Sequence, residues 1–149
     1  MKTVRDPAVL DRLIDRLNAL RPETGRRWGT MSGGEMLCHL GDAAAGVLTP
    51  STAAPVTGRR LAKWIGLRTA LPWPHGLRTP RRVDPRADGT KPGDFASDRR
   101  RAIAGLRDIA AAGEGAMVSS HGVFGPMSTR DWQRWAYRHT NHHLRQFGL

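Results

Sequence analysis

The stretch STRDWQRWAYRHTNHHLRQ, residues 128–146, decides the fold of this chain. Ser128 followed by Asp131 predicts the start of a helix, because a Ser-x-x-acid box satisfies two backbone N–H groups that have no partner inside the helix. Trp132 and Trp135 then mark an apolar face at helical spacing. The stretch therefore predicts a long C-terminal helix that buries one of its faces.

Two histidines continue this apolar face. His139 and His143 lie seven and eleven residues beyond Trp132, and residues four apart stack on the same side of a helix. Such a pair forms half of a transition-metal site. His142 also shares a face with His139, but it falls to the side of the tryptophan stripe. We therefore prefer His143 as the ligand and keep His142 as the alternative.

A second helix is predicted to begin at Ser32, which forms a capping box with Glu35. His39 lies on the apolar face of this helix, and Pro50 is expected to close it. The other apolar positions are Met36, Leu40, Ala43, Ala44 and Val47. The pattern predicts that His39 points inward, toward the same core as the C-terminal histidines.

Three converging imidazoles could hardly satisfy one another, because each neutral ring has one donor and one acceptor. A divalent metal held by His39, His139 and His143 would solve this, and three protein ligands leave an open position for a reactive group. The alternative is that each histidine is simply hydrogen-bonded in the core.

Two further helices complete the expected architecture. Asp6 and Pro7 predict the start of a helix that carries an apolar stripe and ends near Pro22. A third long helix is expected over residues 94–112, and residues 116–127 are expected to form a loop with a short extended piece at Met117 and Val118. The stripe of the first helix is Leu10, Leu13, Ile14, Leu17 and Leu20.

The connection over residues 50–93 holds seven of the ten prolines. It is predicted to be irregular, with one short helix over residues 60–67. A connection of this length suits a crossover that returns the chain to the other end of a helical bundle. The sequence thus predicts an all-α, four-helix bundle over residues 1–149, as one domain, with a long crossover between helices two and three.

Composition narrows the class of protein. The chain has 149 residues and a single cysteine, Cys38, so an internal disulfide framework is excluded and a reduced, cytoplasmic location is expected. No stretch is apolar enough to span a membrane, and the N-terminus does not resemble a signal peptide.

The net charge is +11, from 21 Arg and three Lys against 13 acids. One interpretation is a nucleic-acid partner, since neutralised phosphates release counterions. The favoured interpretation is a merely basic surface, because the arginine pairs are scattered between segments and no helix-turn-helix pattern accompanies them.

Several motifs resemble the DinB-like superfamily. His-x-x-His-His-Leu-Arg-Gln at residues 139–146 is similar to its C-terminal signature, and MSGGEMLCHL at residues 31–40 is similar to its second helix. FGPMSTRDW at residues 124–132 resembles a branch described as a domain of unknown function. The resemblance implies a four-helix bundle and a divalent metal, such as zinc, nickel, iron or manganese, at His39, His139 and His143.

The resemblance also implies a function. Some relatives transfer or isomerise substrates with a low-molecular-weight thiol whose pKa the metal lowers. We therefore expect a metal-dependent transferase or hydrolase that activates a thiol or water and acts on a small-molecule substrate. The alternatives are a basic helical nucleic-acid-binding protein and a catalytically inactive metal-binding scaffold. A homodimer is possible under each of these hypotheses.

Four polar residues near the histidines have open roles. Gln146 and Arg145 are expected to bind a cofactor, although Gln146 could equally make a plain hydrogen bond between helices. Asp42 could orient a ligand, but a solvent-facing charge is favoured. Cys38 is expected to be a small buried side chain, because neighbouring helical residues diverge by about 100° and could not share a metal.

The remaining aromatic residues and histidines lie outside the predicted long helices. Trp28, Trp64 and Trp73 could line a pocket under the connection, but core packing or anchoring of a lid is favoured for each. His75 and His121 lie in predicted loops and are expected at the surface.

Overall fold

The computed structural model describes residues 1–49 and 59–149, and in them the chain is mostly helical. The predicted all-α class is confirmed. The helices are α1 (Pro7–Ala19), α2 (Gly33–Leu48), α3 (Arg60–Arg68), α4 (Phe95–Ala111) and α5 (Thr129–Gln146), with a 3₁₀ turn at Arg81–Val83 and strands β1 (Ser120–His121) and β2 (Gly125–Pro126).

Local signals place the helix starts where the sequence predicts them. Asp6 caps α1 by accepting a hydrogen bond from the backbone N–H of Ala8 at 3.0 Å, and Pro7 occupies the first turn. Ser32 and Ser128 each form a full capping box, with Glu35 and Asp131 respectively. The predicted closure of α2 at Pro50 lies outside the described residues.

The four long helices pack through their apolar stripes. Helix α2 packs mainly on α4, while α5 contacts α1, α2 and α4. Helices α2 and α4 approach each other tightly at Gly105, where an added Cβ would lie 2.6 Å from the Cβ of Ala44. The core between them includes Leu13, Leu17, Met36, Leu40, Ala44, Ile103, Leu106, Ile109, Trp132, Trp135 and Leu144.

The part of the connection that follows residue 58 is fixed at two places. Helix α3 contacts α5, and the Trp73 indole N–H donates to the carbonyl oxygen of Gly66 at 2.9 Å. The 3₁₀ turn contacts α2 and buries the side chain of Val83. The predicted helix over residues 60–67 is confirmed within a residue of its end.

The segment between α4 and α5 differs from its prediction. The extended piece lies at β1 and β2, which pair antiparallel, instead of at Met117 and Val118. Val118 instead donates its backbone N–H to the carbonyl of Val47 at 2.9 Å. Two-residue strands are too short to produce a periodic apolar pattern, so they could not be predicted from the sequence.

None of the helices in residues 1–49 and 59–149 combines the length and the hydropathy that a membrane-spanning segment needs.

Candidate metal centre

Helices α2 and α5 bring three histidines together inside the protein. The Nε2 atom of His139 lies 3.0 Å from Nε2 of His39 and 3.2 Å from Nε2 of His143. One nitrogen from each ring falls within 4.8 Å of the other two. His39 and His143 are buried, while His139 is of intermediate exposure. This group of three residues is the histidine cluster.

The ring of His39 is fixed by the connection. Its Nδ1 atom lies 2.7 Å from the carbonyl oxygen of Val83, in the 3₁₀ turn. A carbonyl oxygen can only accept a hydrogen bond, so Nδ1 carries the proton. Nε2 of His39 therefore presents its lone pair to the cluster.

The ring of His143 is fixed by its own helix. Its Nδ1 atom lies 2.6 Å from Oε1 of Gln146, one turn later. The amide oxygen is an acceptor, so Nδ1 again carries the proton and Nε2 presents a lone pair. The backbone of Gln146 is held in turn, since its carbonyl accepts from the N–H of Arg27 at 2.6 Å.

Gly29 leaves room for the amide group of Gln146. A Cβ atom added at Gly29 would lie 2.7 Å from Nε2 of Gln146, and the φ angle of Gly29 is +82°. Both the space and the backbone conformation therefore favour glycine at this position.

His139 completes the cluster, but it cannot donate a hydrogen bond to both of its neighbours. Its Nε2 atom faces two lone pairs, and a neutral ring carries one proton, which can serve one neighbour at most. At least one buried lone pair is therefore left without a donor. A divalent ion at about 2.0–2.1 Å from each nitrogen would separate tetrahedral ligand atoms by about 3.3 Å, which is close to the 3.0 and 3.2 Å that separate His139 from its two neighbours.

The electrostatics of the site favour neutral rings. Burial lowers the pKa of His39 and lowers the pKa values of His139 and His143 well below the usual range. Neighbouring imidazoles lower the pKa values of His139 and His143 further, because a second positive charge in the same space is unfavourable. At His39 the Val83 carbonyl and the charges of Asp42 and Asp84 oppose the effect of burial without outweighing it. The three rings are therefore neutral near pH 7, and metals bind neutral imidazoles.

His142, the alternative ligand, lies beside the cluster and outside the group of three. Its ring centroid is 5.3 Å from that of His143, and its ring packs edge-on against Trp28 at 4.8 Å. Burial lowers the pKa of His142 to about 4. The preference for His143, taken from the tryptophan stripe, agrees with where the two rings lie.

The two predicted cofactor-binding residues occupy different environments. Gln146 is buried and its side chain holds His143, within one helix instead of between helices. Arg145 is exposed on α5. That either residue binds a cofactor stays a prediction.

His121 was expected at the surface, but its side chain is half-buried. Its ring stacks on Phe124 at 4.6 Å and lies 6.0 Å from the ring of Trp135. Its Nδ1 accepts from the backbone N–H of Val123 at 3.1 Å, and burial followed by the charge of Arg82 lowers its pKa to about 4. The signal in the sequence was the aromatic neighbour three residues away in a glycine-flanked turn.

Asp42 was expected to face solvent, and this expectation is wrong. Its carboxylate accepts hydrogen bonds from Arg101 and from the N–H and hydroxyl of Thr90, both at 2.7 Å. Burial by itself would raise the pKa of Asp42, but these donors outweigh it and the pKa is lowered. Asp42 therefore ties α2 to α4 and to the end of the connection.

Cys38 is buried, as expected, and burial raises the pKa of its thiol to about 11. A thiol protonated at neutral pH is a weak ligand, which supports its interpretation as a packing residue.

The three tryptophans behave differently from one another. Trp64 is 59% exposed on α3, so core packing was the wrong prediction for it. Trp28 stacks on His75, which is exposed as expected, with ring centroids 3.8 Å apart. Trp73 is half-buried, and its ring lies 6.2 Å from that of His139.

No family model, curated protein or solved structure matches this chain.

Proposed function

We propose that this protein is a divalent-metal-dependent enzyme of the DinB-like type, with His39, His139 and His143 as the protein ligands of the ion. The observation that carries the proposal is the arrangement of protons and lone pairs. The Nδ1–H groups of His39 and His143 donate hydrogen bonds to Val83 and Gln146. The Nε2 lone pairs of these two rings therefore both point at His139.

The proposed architecture is a four-helix bundle with a long crossover between its second and third long helices. The packing of α1, α2, α4 and α5 supports it. The crossover would then connect α2 to α4 and would also position the Val83 carbonyl next to His39.

The proposed reaction class is transfer or hydrolysis with a thiol or water as nucleophile. His39, His139 and His143 would hold a divalent ion as neutral ligands, and the uncompensated charge of that ion would favour the deprotonated form of a bound thiol or water. The chain itself supplies orientation, because the outer hydrogen bonds of His39 and His143 fix which nitrogen faces the site.

Elemental analysis of freshly purified protein tests the proposal. We expect close to one divalent ion per chain, and loss of this ion in His143→Ala. Two histidine controls are available: His142→Ala, beside the cluster on the same helix, and His75→Ala, in an exposed position, should both keep the ion. Protein that is metal-free and cannot be loaded would remove this function.

Metal binding without turnover of any thiol adduct or ester would instead support the inactive scaffold. The nucleic-acid-binding alternative is supported by net charge alone. It predicts binding to duplex DNA with a steep dependence on salt, and indifference to DNA at low salt would eliminate it.

A further inference from the structure

A groove of about 360 Å³ lies beside the histidine cluster. One wall is α5, which contributes Tyr137, Arg138, Asn141, His142 and Arg145, and the other wall is formed by residues 67–70, Pro72 and Trp73. The volume falls within the range of small-molecule sites, about 300–1,000 Å³. Tyr137 and Trp73 provide aromatic surface in a groove whose lining is otherwise a mixture of apolar and polar side chains.

The charge of this groove has one sign. Its lining includes four cationic side chains, Lys2, Arg68, Arg138 and Arg145, and no carboxylate among the described residues. Arg68 is compensated from outside, because it forms an ion pair with Asp131 at 3.2 Å. Within residues 1–49 and 59–149, the other three cations have no acidic partner within ion-pair distance.

Arg138 is held in place without being neutralised. Its guanidinium donates to the carbonyl oxygens of Thr69, at 3.1 Å, and Leu71. Carbonyl oxygens accept hydrogen bonds but carry no net charge, so the positive charge remains in the groove. The wall at residues 69–71 is thereby fixed to α5 by a residue that still attracts anions.

Arg145 adds repulsion to this arrangement. After the effect of burial, its positive charge is among the causes that lower the pKa values of Arg138 and of Arg16, which hydrogen-bonds to Asn141 at 2.8 Å. Like charges that are close and uncompensated are unfavourable in the empty groove. A bound anion would remove this repulsion and would gain charge-assisted hydrogen bonds.

The groove also reaches the histidine cluster. His142 lines the groove, and its ring centroid lies 5.3 Å from that of His143. Trp73 lines it as well, and its ring centroid lies 6.2 Å from that of His139. A molecule in the groove is therefore separated from the histidine cluster only by the side chains of His142 and Trp73.

We propose that this groove binds a small organic oxyanion, a carboxylate or phosphate attached to a flat apolar group, as the substrate or cofactor of the histidine site. The anionic group would lie between Lys2, Arg138 and Arg145, and the apolar group against Trp73 and Tyr137. The assignment as substrate or cofactor rests on the proposed function, whereas the anion site itself does not.

Isothermal titration calorimetry of the full chain tests the anion site. The probes are 2-naphthoate and 2-naphthyl phosphate, with 2-naphthamide as the neutral match of the carboxylate. We expect at least one anionic probe to bind, and the amide to bind roughly tenfold more weakly or not at all. The probe that binds more tightly identifies the preferred oxyanion.

Arg145→Glu should weaken the anionic probe by roughly tenfold or more, because it reverses one of three uncompensated charges. Arg107→Glu on α4 is the matched control, because this substitution changes the net charge by the same amount. Arg107 is also exposed, and it does not line the groove. Equal binding of the amide, or equal weakening by both variants, would overturn the anion site.

Two further measurements separate this inference from the proposed function. His143→Ala should lose the metal and still bind the anionic probe, because the probe contacts the groove and not His143. Cobalt-loaded wild-type protein should change its visible spectrum when the probe is added. An unchanged spectrum with a saturated groove would overturn the assignment as substrate or cofactor, whereas failure of any metal to load would overturn the proposed function and leave the anion site standing.

Discussion

The histidine cluster and the surroundings of His121 are two ways to bury an imidazole in the same protein. In both places burial lowers the pKa, to about 4 for His121 and well below the usual range for His139 and His143. At His121 the ring packs on aromatic side chains and its Nδ1 accepts a backbone N–H. In the cluster, lone pairs face each other.

The difference teaches which observation points to a metal. A buried, neutral histidine is common to both places and so does not distinguish them. The distinguishing feature is that the Nδ1–H groups of His39 and His143 donate to carbonyl and amide oxygens. The Nε2 lone pairs of both rings are thereby directed at His139.

Removal of the His39 ring and of the His121 ring should give the largest difference in zinc affinity. We expect His39→Ala to weaken zinc binding by more than about a hundredfold, since loss of a ligand exceeds the effect of losing an outer partner. His121→Ala should leave zinc affinity within about threefold, because a change under 1 kcal/mol is expected for a residue outside the cluster. Competition with a chromophoric chelator measures both, and equal losses would contradict the distinction.

The outer hydrogen bond of the cluster gives the next effect. Gln146→Leu removes the acceptor of the His143 Nδ1 proton, so we expect zinc affinity to fall by about 10- to 100-fold. Gln133→Leu is the matched control, because Gln133 is also buried on α5 and donates to the carbonyl of Ala110 at 3.2 Å. The control should lose stability and keep its zinc affinity, and the opposite result would remove Gln146 from the site.

Acid should destabilise the metal-free protein through both places. The folded-state pKa of His121 lies below the unfolded value of about 6.5, so the unfolded chain binds more protons and stability falls as the pH drops below 6.5. Each such group contributes a slope of up to about 1.4 kcal/mol per pH unit. Urea unfolding of His121→Phe should show a shallower fall between pH 6.5 and 5.5 than wild type, and an identical slope would mean that His121 is not buried as described.

The smallest effect concerns the two capping boxes that start α2 and α5. Ser32→Ala and Ser128→Ala should each reduce the free energy of unfolding by about 1 kcal/mol. The acid of each box also has cationic partners. Asp131 forms ion pairs with Lys63 at 2.8 Å and with Arg68 at 3.2 Å. In the α2 box, Arg86 bonds to Glu35 at 2.9 Å and holds the pKa of Glu35 at about 2. Stability from Glu35 is therefore present above about pH 4.5 and is lost as the pH falls toward 2.

Arg86→Ala tests the contribution of the bond between Arg86 and Glu35. It should raise the pKa of Glu35 toward the usual range, so stability would begin to fall at a higher pH than in wild type. The control is Arg81→Ala, whose ion pair with Asp88 is exposed and involves no helix cap. A shared pH profile for both variants would contradict a role of Arg86 at the start of α2.

Local patterns in the sequence predicted the helices and the convergence of the histidines. Helix starts depend on a few adjacent residues, such as Asp6 with Pro7 and Ser128 with Asp131, so they can be found without a fold. The inward direction of His39 and His143 followed from helical spacing, because each lies on an apolar face that must be buried.

The contacts that complete the site could not be predicted in this way. Val83 lies 44 residues from His39 in a part of the chain without periodicity, and nothing local indicates which carbonyl meets the ring. The burial of His121 and the ion pair of Asp42 with Arg101 likewise depend on segments far apart in the chain. The groove is formed by α5 and an irregular segment, so the sequence suggested only single residues of it, namely Arg145, His142 and Trp73, and not their arrangement.

If the histidine cluster holds the proposed ion, the hydrogen bond from His39 to Val83 couples binding of that ion to the turn at Arg81–Val83. Displacement of this turn would free the ring of His39 and weaken the affinity for the ion. By reciprocity, the bound ion would stabilise the turn against opening by the same free energy. Amide hydrogens of the turn should therefore exchange with solvent more slowly once the protein is loaded, far along the chain from either ligand-bearing helix.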